Sequence, residues 1–513
     1  MNSKQLPERP DLGQLKKQAK ELLSAVRAGE AEALRRVGGG EAGRGASELA
    51  LNDAQRVIAR DYGFASWAKL ELHVETREIE AAEARLVEAA LDGEREAVEE
   101  ILRERPELAA RSVWTAAALG KEEAYEWNRY AKESGGPRGW PVLLYVCFGR
   151  CGGGDEVRAR IAQVLLENGA DANAYWIHRD WPESPLPALY GATGVNDYPR
   201  LARVLLEAGA NPNDGESRYH AAEHNHVASL EVLAEFGCDF SGVDRAWGNT
   251  PLYFLFGYAQ PTAEMKAGVR WLLEHGANPN VVSQANGVAE MPLHRAVNHN
   301  WDAETIGLLV KRGADVNAKT AYGRTAYQLA VRGGREEVAQ VLAENGANTE
   351  VVETDALIGA CMRGDGEGAR ALVERRRGVL KELGAHDRLI ALMAAREGRA
   401  EALKVIPEIG LGVDVSGEWG ERPLHWAAWY GWAEAVKVLV EKGVELNVCD
   451  RRFGAPPSGW CAHGSENCGN PKGEYARVME MLIDAGALVA PDTNGAPEVM
   501  AVLRRRGIGP AKR

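Results

Sequence analysis

The stretch Arg422–Val448, RPLHWAAWYGWAEAVKVLVEKGVELNV, decides the fold. Pro423 suits the first position of a helix, where a missing N–H costs nothing. Leu424, Ala427 and Ala428 give that helix a small apolar face that fits close to a neighbour, and Gly431 interrupts it. Ala435, Val436, Val438, Leu439 and Val440 then recur at helical spacing. Gly443 stands where a helix end wants a left-handed residue, a conformation glycine adopts without steric cost. The stretch therefore reads as helix, tight turn, helix and a glycine-centred exit into an extended loop. Such a two-helix unit cannot bury its apolar face alone and needs copies of itself on either side.

The chain supplies the copies. The exit recurs as NGADANA (Asn168–Ala174), AGANPND (Ala208–Asp214), HGANPNV (His275–Val281), RGADVNA (Arg312–Ala318) and NGANTEV (Asn345–Val351). Weaker versions are FGCDFSG (Phe236–Gly242), KGVELNV (Lys442–Val448) and AGALVAP (Ala485–Pro491). The entry recurs as NTPLYFL (Asn249–Leu255), MPLHRAV (Met291–Val297), RTAYQLA (Arg324–Ala330) and RPLHWAA (Arg422–Ala428). Two motifs alternating in the same order form a far more specific signal than a single PLH.

These motifs resemble the ankyrin repeat, with its T-P-L-H-x-A signature and a period of about 33 residues. The resemblance implies an all-α solenoid of roughly a dozen stacked helix–turn–helix units with projecting hairpin-like loops. It also implies a non-catalytic scaffold or adaptor that binds a protein partner through its concave face of loops and first helices. It makes the PLH histidines His294 and His425 structural hydrogen-bonding residues. Unevenly spaced exits predict insertions in some loops.

The expected organisation is an N-terminal helical segment over 1–78, a repeat array over 79–494 and a capping helix with a tail over 495–513. Within the array, degenerate units fall at 79–134, where Ser112–Lys132 reads as a further helix pair, and at 354–415. In the first segment Asp11 can cap a helix carrying Leu12, Leu15, Ala19, Leu22, Leu23 and Val26. Gly38–Gly45 reads as a loop. PDLGQLKKQAKELL followed by LNDAQRVIARDYGFASWAKLELHV is similar to a helical segment found ahead of ankyrin arrays in bacterial proteins. Such a segment either shields the first repeat or forms a separate docking domain.

Composition agrees with a folded repeat chain. A length of 513 residues exceeds one globular core, which stops growing near ~250–300 residues; a solenoid escapes that limit. With 45% hydrophobic and 26% charged residues, wholesale disorder is excluded. A net charge of −13 argues against a dedicated nucleic-acid binder and favours solubility; it reads either as a solvated acidic surface or as a preference for basic partners. Seven cysteines, an odd number spread over a long chain, are no disulfide framework. The start carries no apolar signal-peptide core, and no run reaches the ~18 apolar residues of a membrane span. A cytoplasmic monomer that touches neither membrane nor nucleic acid is the expectation.

Candidate binding residues are aromatic. The insertion Tyr175–Pro187, YWIHRDWPESPLP, holds Trp176 and Trp181, which either offer contact area to a partner or fold back on the adjoining loop. Trp429 and Tyr430 are expected to face outward near the helix turn, Trp432 to pack between repeats and Trp426 to be core. Trp247, Tyr322 and Trp419 precede their entry motifs by similar offsets, which suggests an aromatic-studded edge or a residue the repeat needs structurally. An exposed aromatic patch marks a partner site.

Cys461, His463 and Cys468 offer zinc-ligand types, but C-x-H-x4-C matches no established spacing, and core cysteines with a hydrogen-bonded histidine fit as well. A metal- or small-molecule-binding sensor on a repeat scaffold is the alternative function. Cys147 and Cys151, read as four apart on one helix, and the pair His220/His224 are two-ligand arrangements at most. The glycines at 152–154 lack the Gly-Lys-Ser/Thr ending of a phosphate loop, and no hydrolase, metalloprotease or dinucleotide motif occurs. The sequence predicts no enzyme, no catalytic residue and no cofactor.

Overall fold

The computed structural model describes residues 4–7, 10–38, 49–179, 181–244, 247–258, 261–284 and 289–509. Beyond residue 38, the loop expected over Gly38–Gly45 lies outside them. Contacts divide the chain into two units, Met1–Ala221 with His226–Cys238, and Ala222–Asn225 with Asp239–Arg513. Each is a series of helix pairs, as the repeat pattern requires.

The first unit opens with α1 (Leu12–Arg27), α2 (Ala31–Gly38), α3 (Leu51–Asp61) and α4 (Trp67–Asp92). Asp11 caps α1 as expected, its carboxylate accepting from the Gly13 and Gln14 N–H groups at 2.6 and 3.2 Å. Leu15, Ala19, Leu22 and Val26 face inward from α1 and meet Val57, Ile58, Leu70 and Val74 in a core of their own. The division expected at 78/79 falls inside α4, a single helix of 26 residues. Its N-terminal half belongs to that core, while its C-terminal part packs against α5 (Arg95–Glu104) and α6 (Val113–Ala118).

The helix pair expected over Ser112–Lys132 is only half formed. After α6 the chain takes short 3-10 turns at Glu122–Ala124 and Trp127–Tyr130, with the Trp127 indole donating to the Glu122 carbonyl at 2.7 Å. Strands β1 (Ser134–Gly135) and β2 (Trp140–Pro141) form a short hairpin that leads into α7 (Val142–Phe148) and α8 (Asp155–Glu167). The insertion is a second hairpin, β3 (Tyr175–His178) with β4 (Trp181–Pro187), antiparallel, Tyr175 opposite Pro187 and Trp176 opposite Leu186. Helices α9 (Ala188–Tyr190), α10 (Pro199–Glu207), α11 (Ser217–Glu223) and α12 (Val227–Glu235) follow.

Arg158 holds this region together. It projects from α8 with no exposed surface and donates all five N–H groups to carbonyls: Gly153 at 2.7 Å, Ala117 at 3.3 Å, Val146 at 2.8 Å, Ala118 at 2.8 Å and Cys151 at 2.7 Å. Ala117 and Ala118 end α6 and Val146 lies near the end of α7, so the guanidinium sits where carbonyls with no intrahelical partner concentrate negative charge. A Cβ on Gly149 would lie 2.2 Å from the Ala118 oxygen and 2.4 Å from the same guanidinium, which fixes glycine at that position.

The second unit contains α13 (Pro251–Leu255), α14 (Ala263–Glu274), α15 (Pro292–Asn298), α16 (Ala303–Lys311), α17 (Ala326–Arg332), α18 (Glu336–Glu344), α19 (Glu353–Arg363) and α20 (Gly366–Arg375). A short α21 (Val379–Glu382) is inserted before α22 (Ile390–Arg396) and α23 (Ala400–Glu408). The degenerate stretch 354–415 thus holds two helix pairs. The organising repeat gives α24 (Pro423–Trp429) and α25 (Ala433–Glu441), followed by α26 (Pro457–Asn467), α27 (Tyr475–Asp484) and α28 (Pro497–Arg505). First helices pack on first helices (α22, α24, α26) and second on second (α23, α25, α27), so the pairs stack in register.

The exit motif has a physical reason. The Asn280 side chain donates to the Gly313 carbonyl at 2.7 Å and accepts from the Asp315 N–H at 2.8 Å. Asn317 does the same one repeat later, to Gly346 and Asn348, at 3.1 and 2.7 Å. In the first unit Asn173 bonds Gly209 and Asn211, both at 2.9 Å. Each of these three asparagines therefore ties its loop to the next one. Gly443, at φ 72°, ends α25 as the sequence required.

Candidate functional site

The site is built from two consecutive repeats of the second unit. Loop residues Trp419 and Phe453, with Trp426 and Trp429 of α24 and Ala455, Gly459, Trp460 and His463 of α26, line a pocket of about 460 Å³. That is within the usual range of ligand pockets, ~300–1,000 Å³. The entry prolines explain the placement. Pro423 and Pro457 each open a first helix, so the tryptophan three residues later, Trp426 or Trp460, occupies the same helical position in adjacent repeats. Trp429 and His463 correspond in the same way, as do Trp419 and Phe453 on the preceding loops; each pair is 34 positions apart.

Trp460 is the floor, 5% exposed. Its ring meets those of Trp426, Trp429 and Phe453 nearly edge-on, at centroid distances of 5.1, 5.9 and 6.0 Å and interplanar angles of 82°, 74° and 71°. The His463 ring lies 5.4 Å from that of Trp429. At the rim, Phe453 is 65% exposed and Trp419 37%, and the Arg452 guanidinium lies 4.4 Å from the Trp419 centroid and 5.3 Å from that of Phe453.

A buried carboxylate supports the floor. The Trp460 indole N–H donates to Asp450 at 3.0 Å. The other Asp450 oxygen accepts from the Arg452 and Phe453 N–H groups at 2.8 and 2.6 Å. Burial opposes ionisation of Asp450, but the hydrogen bonds from Phe453, Trp460, Ala455 and Arg452 outweigh it and hold the carboxyl below its usual value. His425 joins the two loops: its Nδ1 accepts from the Arg422 N–H at 2.9 Å and its Nε2 pairs with the Ala455 carbonyl at 3.2 Å. The equivalent His294 pairs with the Ala318 carbonyl at 2.9 Å. These are the structural roles that the PLH resemblance implies.

Of the aromatic residues singled out from sequence, the structure brings Trp419 and Trp429 together here. Trp429 and Tyr430 do not stand free at the surface. Both are half-buried, Trp429 in the pocket and Tyr430 stacked on Trp426 at 6.3 Å. Trp426 lines the pocket as well as packing on the core. Trp432 donates to the Arg396 carbonyl at 3.0 Å, as expected for a residue between repeats. Trp247 and Tyr322 are exposed on their loops, at 45% and 75%. Trp176, in the first unit, has folded back: it is half-buried, 4.8 Å from Trp140 and 6.1 Å from Phe148. Trp181 lies on β4 by its backbone, and its side chain lies outside the described residues. Exposed Tyr175 and Ile177 occupy the positions on β3 that Trp176 leaves open.

The cysteine-rich stretch is not a metal cluster. Cys461 is fully buried, its thiol against the Tyr475 carbonyl at 3.5 Å, and burial pushes its pKa up. His463 faces the pocket instead, and among the described residues no group of three His, Cys, Asp or Glu side chains could hold a metal ion. Cys151 lies beyond the end of α7 rather than on one helix with Cys147, and both are buried. Similarly α11 ends at Glu223, before His224. Among the described residues no helix is long and apolar enough to cross a membrane.

The family model for ankyrin repeats in three copies matches residues 255–355 and 357–450. Rat cyclin-dependent kinase 4 inhibitor B is 30% identical over 122 residues, 24% of this chain and 86% of that protein. Mouse Rabankyrin-5 is 24% identical over 228 residues, 38% of this chain but 19% of its own length, so the chain spans about a fifth of that relative. The human ASB11 ankyrin repeat domain is 23% identical, with 46% of this chain and 98% of that chain covered, at a TM-score of 0.36.

Proposed function

This chain belongs to the ankyrin repeat family, and on that premise we propose that it is a non-catalytic adaptor whose repeats at 418–463 hold a partner protein. The observation that carries the reading is the aromatic pocket of Trp419, Trp426, Trp429, Phe453 and Trp460. It lies on loops and first helices, the elements that repeat proteins vary for binding while second helices keep the stack. Large, rigid side chains around a concavity give contact area at low entropic cost, and tryptophan is over-represented among residues that dominate interface energies. Fold by itself does not establish function; the pocket is what distinguishes this chain's binding face. Trp247 and Tyr322 are candidates for the edge of the same binding face. Binding needs no metal, cofactor or reacting group.

The test is affinity capture on immobilised full-length protein, using cell extract of the source organism. The chain is compared with a Trp419→Ala/Phe453→Ala variant and a Tyr322→Ala variant, each first shown to keep the parental thermal melt. A partner retained by the intact chain and by Tyr322→Ala, and lost by the double variant, supports the reading. Equal retention by all three contradicts it.

A further inference from the structure

We propose that the tryptophan pocket accepts an alkylated ammonium group, such as a trimethylated lysine side chain presented by the partner protein. The proposal rests on the protein-binding reading above and names what that partner inserts. Four features favour a cation over a plain apolar side chain.

First, the pocket is lined by closely spaced aromatic rings. Trp460 closes its floor and lies within 6.0 Å of Trp426, Trp429 and Phe453, each nearly perpendicular to it. The face of each ring carries the negative lobe of its quadrupole, and a cation within ~6 Å of several centroids is attracted by all of them, most strongly to tryptophan. Second, a negative charge stands at the edge of the floor ring: the Asp450 carboxylate, 2% exposed, accepts the Trp460 indole N–H at 3.0 Å, which raises the electron density of that ring as a whole. Third, the rim already holds a cation by rings alone. The Arg452 guanidinium lies over Trp419 and Phe453, and no ion pair to it is formed among the described residues. Fourth, the chain's net charge of −13 favours approach of basic segments.

The lining also selects alkylation. Besides the His463 ring, the side chains around the pocket are aromatic or aliphatic. An unmodified lysine ammonium has three donors and would leave them without acceptors on entering. A trimethylammonium has none to lose, and keeps its charge.

Three probes distinguish the possibilities, each titrated calorimetrically against the full-length chain. They are the N-acetyl amide of trimethyl-lysine, that of lysine, and the neutral analogue in which carbon replaces the ammonium nitrogen. The trimethylated probe is expected to bind about tenfold more tightly than either of the others. The Trp419→Ala/Phe453→Ala variant, with its melt unchanged, should weaken it by about fivefold or more. Equal binding of the neutral analogue overturns the inference and leaves an apolar pocket. No binding of the trimethylated probe, or binding that the variant does not alter, also overturns it. The two readings fail separately. Selective probe binding without pocket-dependent capture sinks the adaptor reading. Pocket-dependent capture without probe selectivity sinks the ammonium inference.

Discussion

At the scale of single residues, Arg158 and Asp450 use burial in opposite ways. Arg158 donates to five carbonyls, of which Ala117 also accepts from the Gly120 N–H at 3.1 Å, so its loss strands several buried acceptors at once. Arg158→Met keeps the aliphatic stem and removes the donors. It should destabilise the first unit by at least about 3 kcal/mol, read as a lower urea midpoint; an unchanged midpoint would contradict this role. Asp450 instead positions the pocket floor. Legibility also divides at this scale. The PLH histidines could be read from sequence because the motif recurs with one role, His294 and His425 each reaching a carbonyl of the loop that follows their helix pair. The entry PSGW aligns with the start of a first helix, so the element that carries Trp460 could be read, but its place as the pocket floor could not, because PSGW departs from PLHW. The signal available was the 34-residue offset that pairs Trp426 with Trp460, Trp429 with His463 and Trp419 with Phe453. Taken together, those three pairs make one aromatic surface two repeats wide.

At the scale of elements, the exit loops are joined by asparagine bonds that cross from repeat to repeat. Asn317→Ala removes two of them, and exposure of the site lets water replace part of the loss. We expect about 1 kcal/mol of destabilisation in chemical unfolding. Asn345→Ala removes only a bond to the Val341 carbonyl of its own helix, and should cost less than about 0.5 kcal/mol. Equal costs would remove the ladder from the account. Two buried histidines and a half-buried one give the stack a pH dependence. Burial lowers the pKa of His294 and His425, and burial together with Arg295 and Arg396 lowers that of His299 to about 4. The unfolded chain therefore binds more protons than the folded one below the ordinary histidine value, ~6.5, so stability rises with pH there. Thermal melts should fall as pH drops from about 6.5 towards 4. His299→Gln should flatten that limb, and a limb unaffected by the substitution would assign it to other groups. Helix pairs were legible because glycine exits and apolar spacing are local signals. The 3-10 turns at 122–130 were not, and for Trp176 the sequence left contact and fold-back equally open, since the partner that decides it, Trp140, lies far away in sequence.

At the scale of the whole molecule, the repeat pattern fixes how pairs stack but not what they bind. The N-terminal helices have a core of their own, yet α4 carries the chain from that core into the first repeats without a break. We therefore propose that residues up to about Val74 form a helical subdomain seated on the array through α4, which the expected boundary at 78 divides too sharply. On the proposed function, partner choice resides in the aromatic loops and first helices at 418–463. Hydrogen exchange on the captured complex, compared with the free chain, tests that claim most directly. The account predicts added protection in 419–430 and 450–463, with α25 and α27 unchanged. Protection confined to second helices, or to segments lacking any pocket residue, would contradict it.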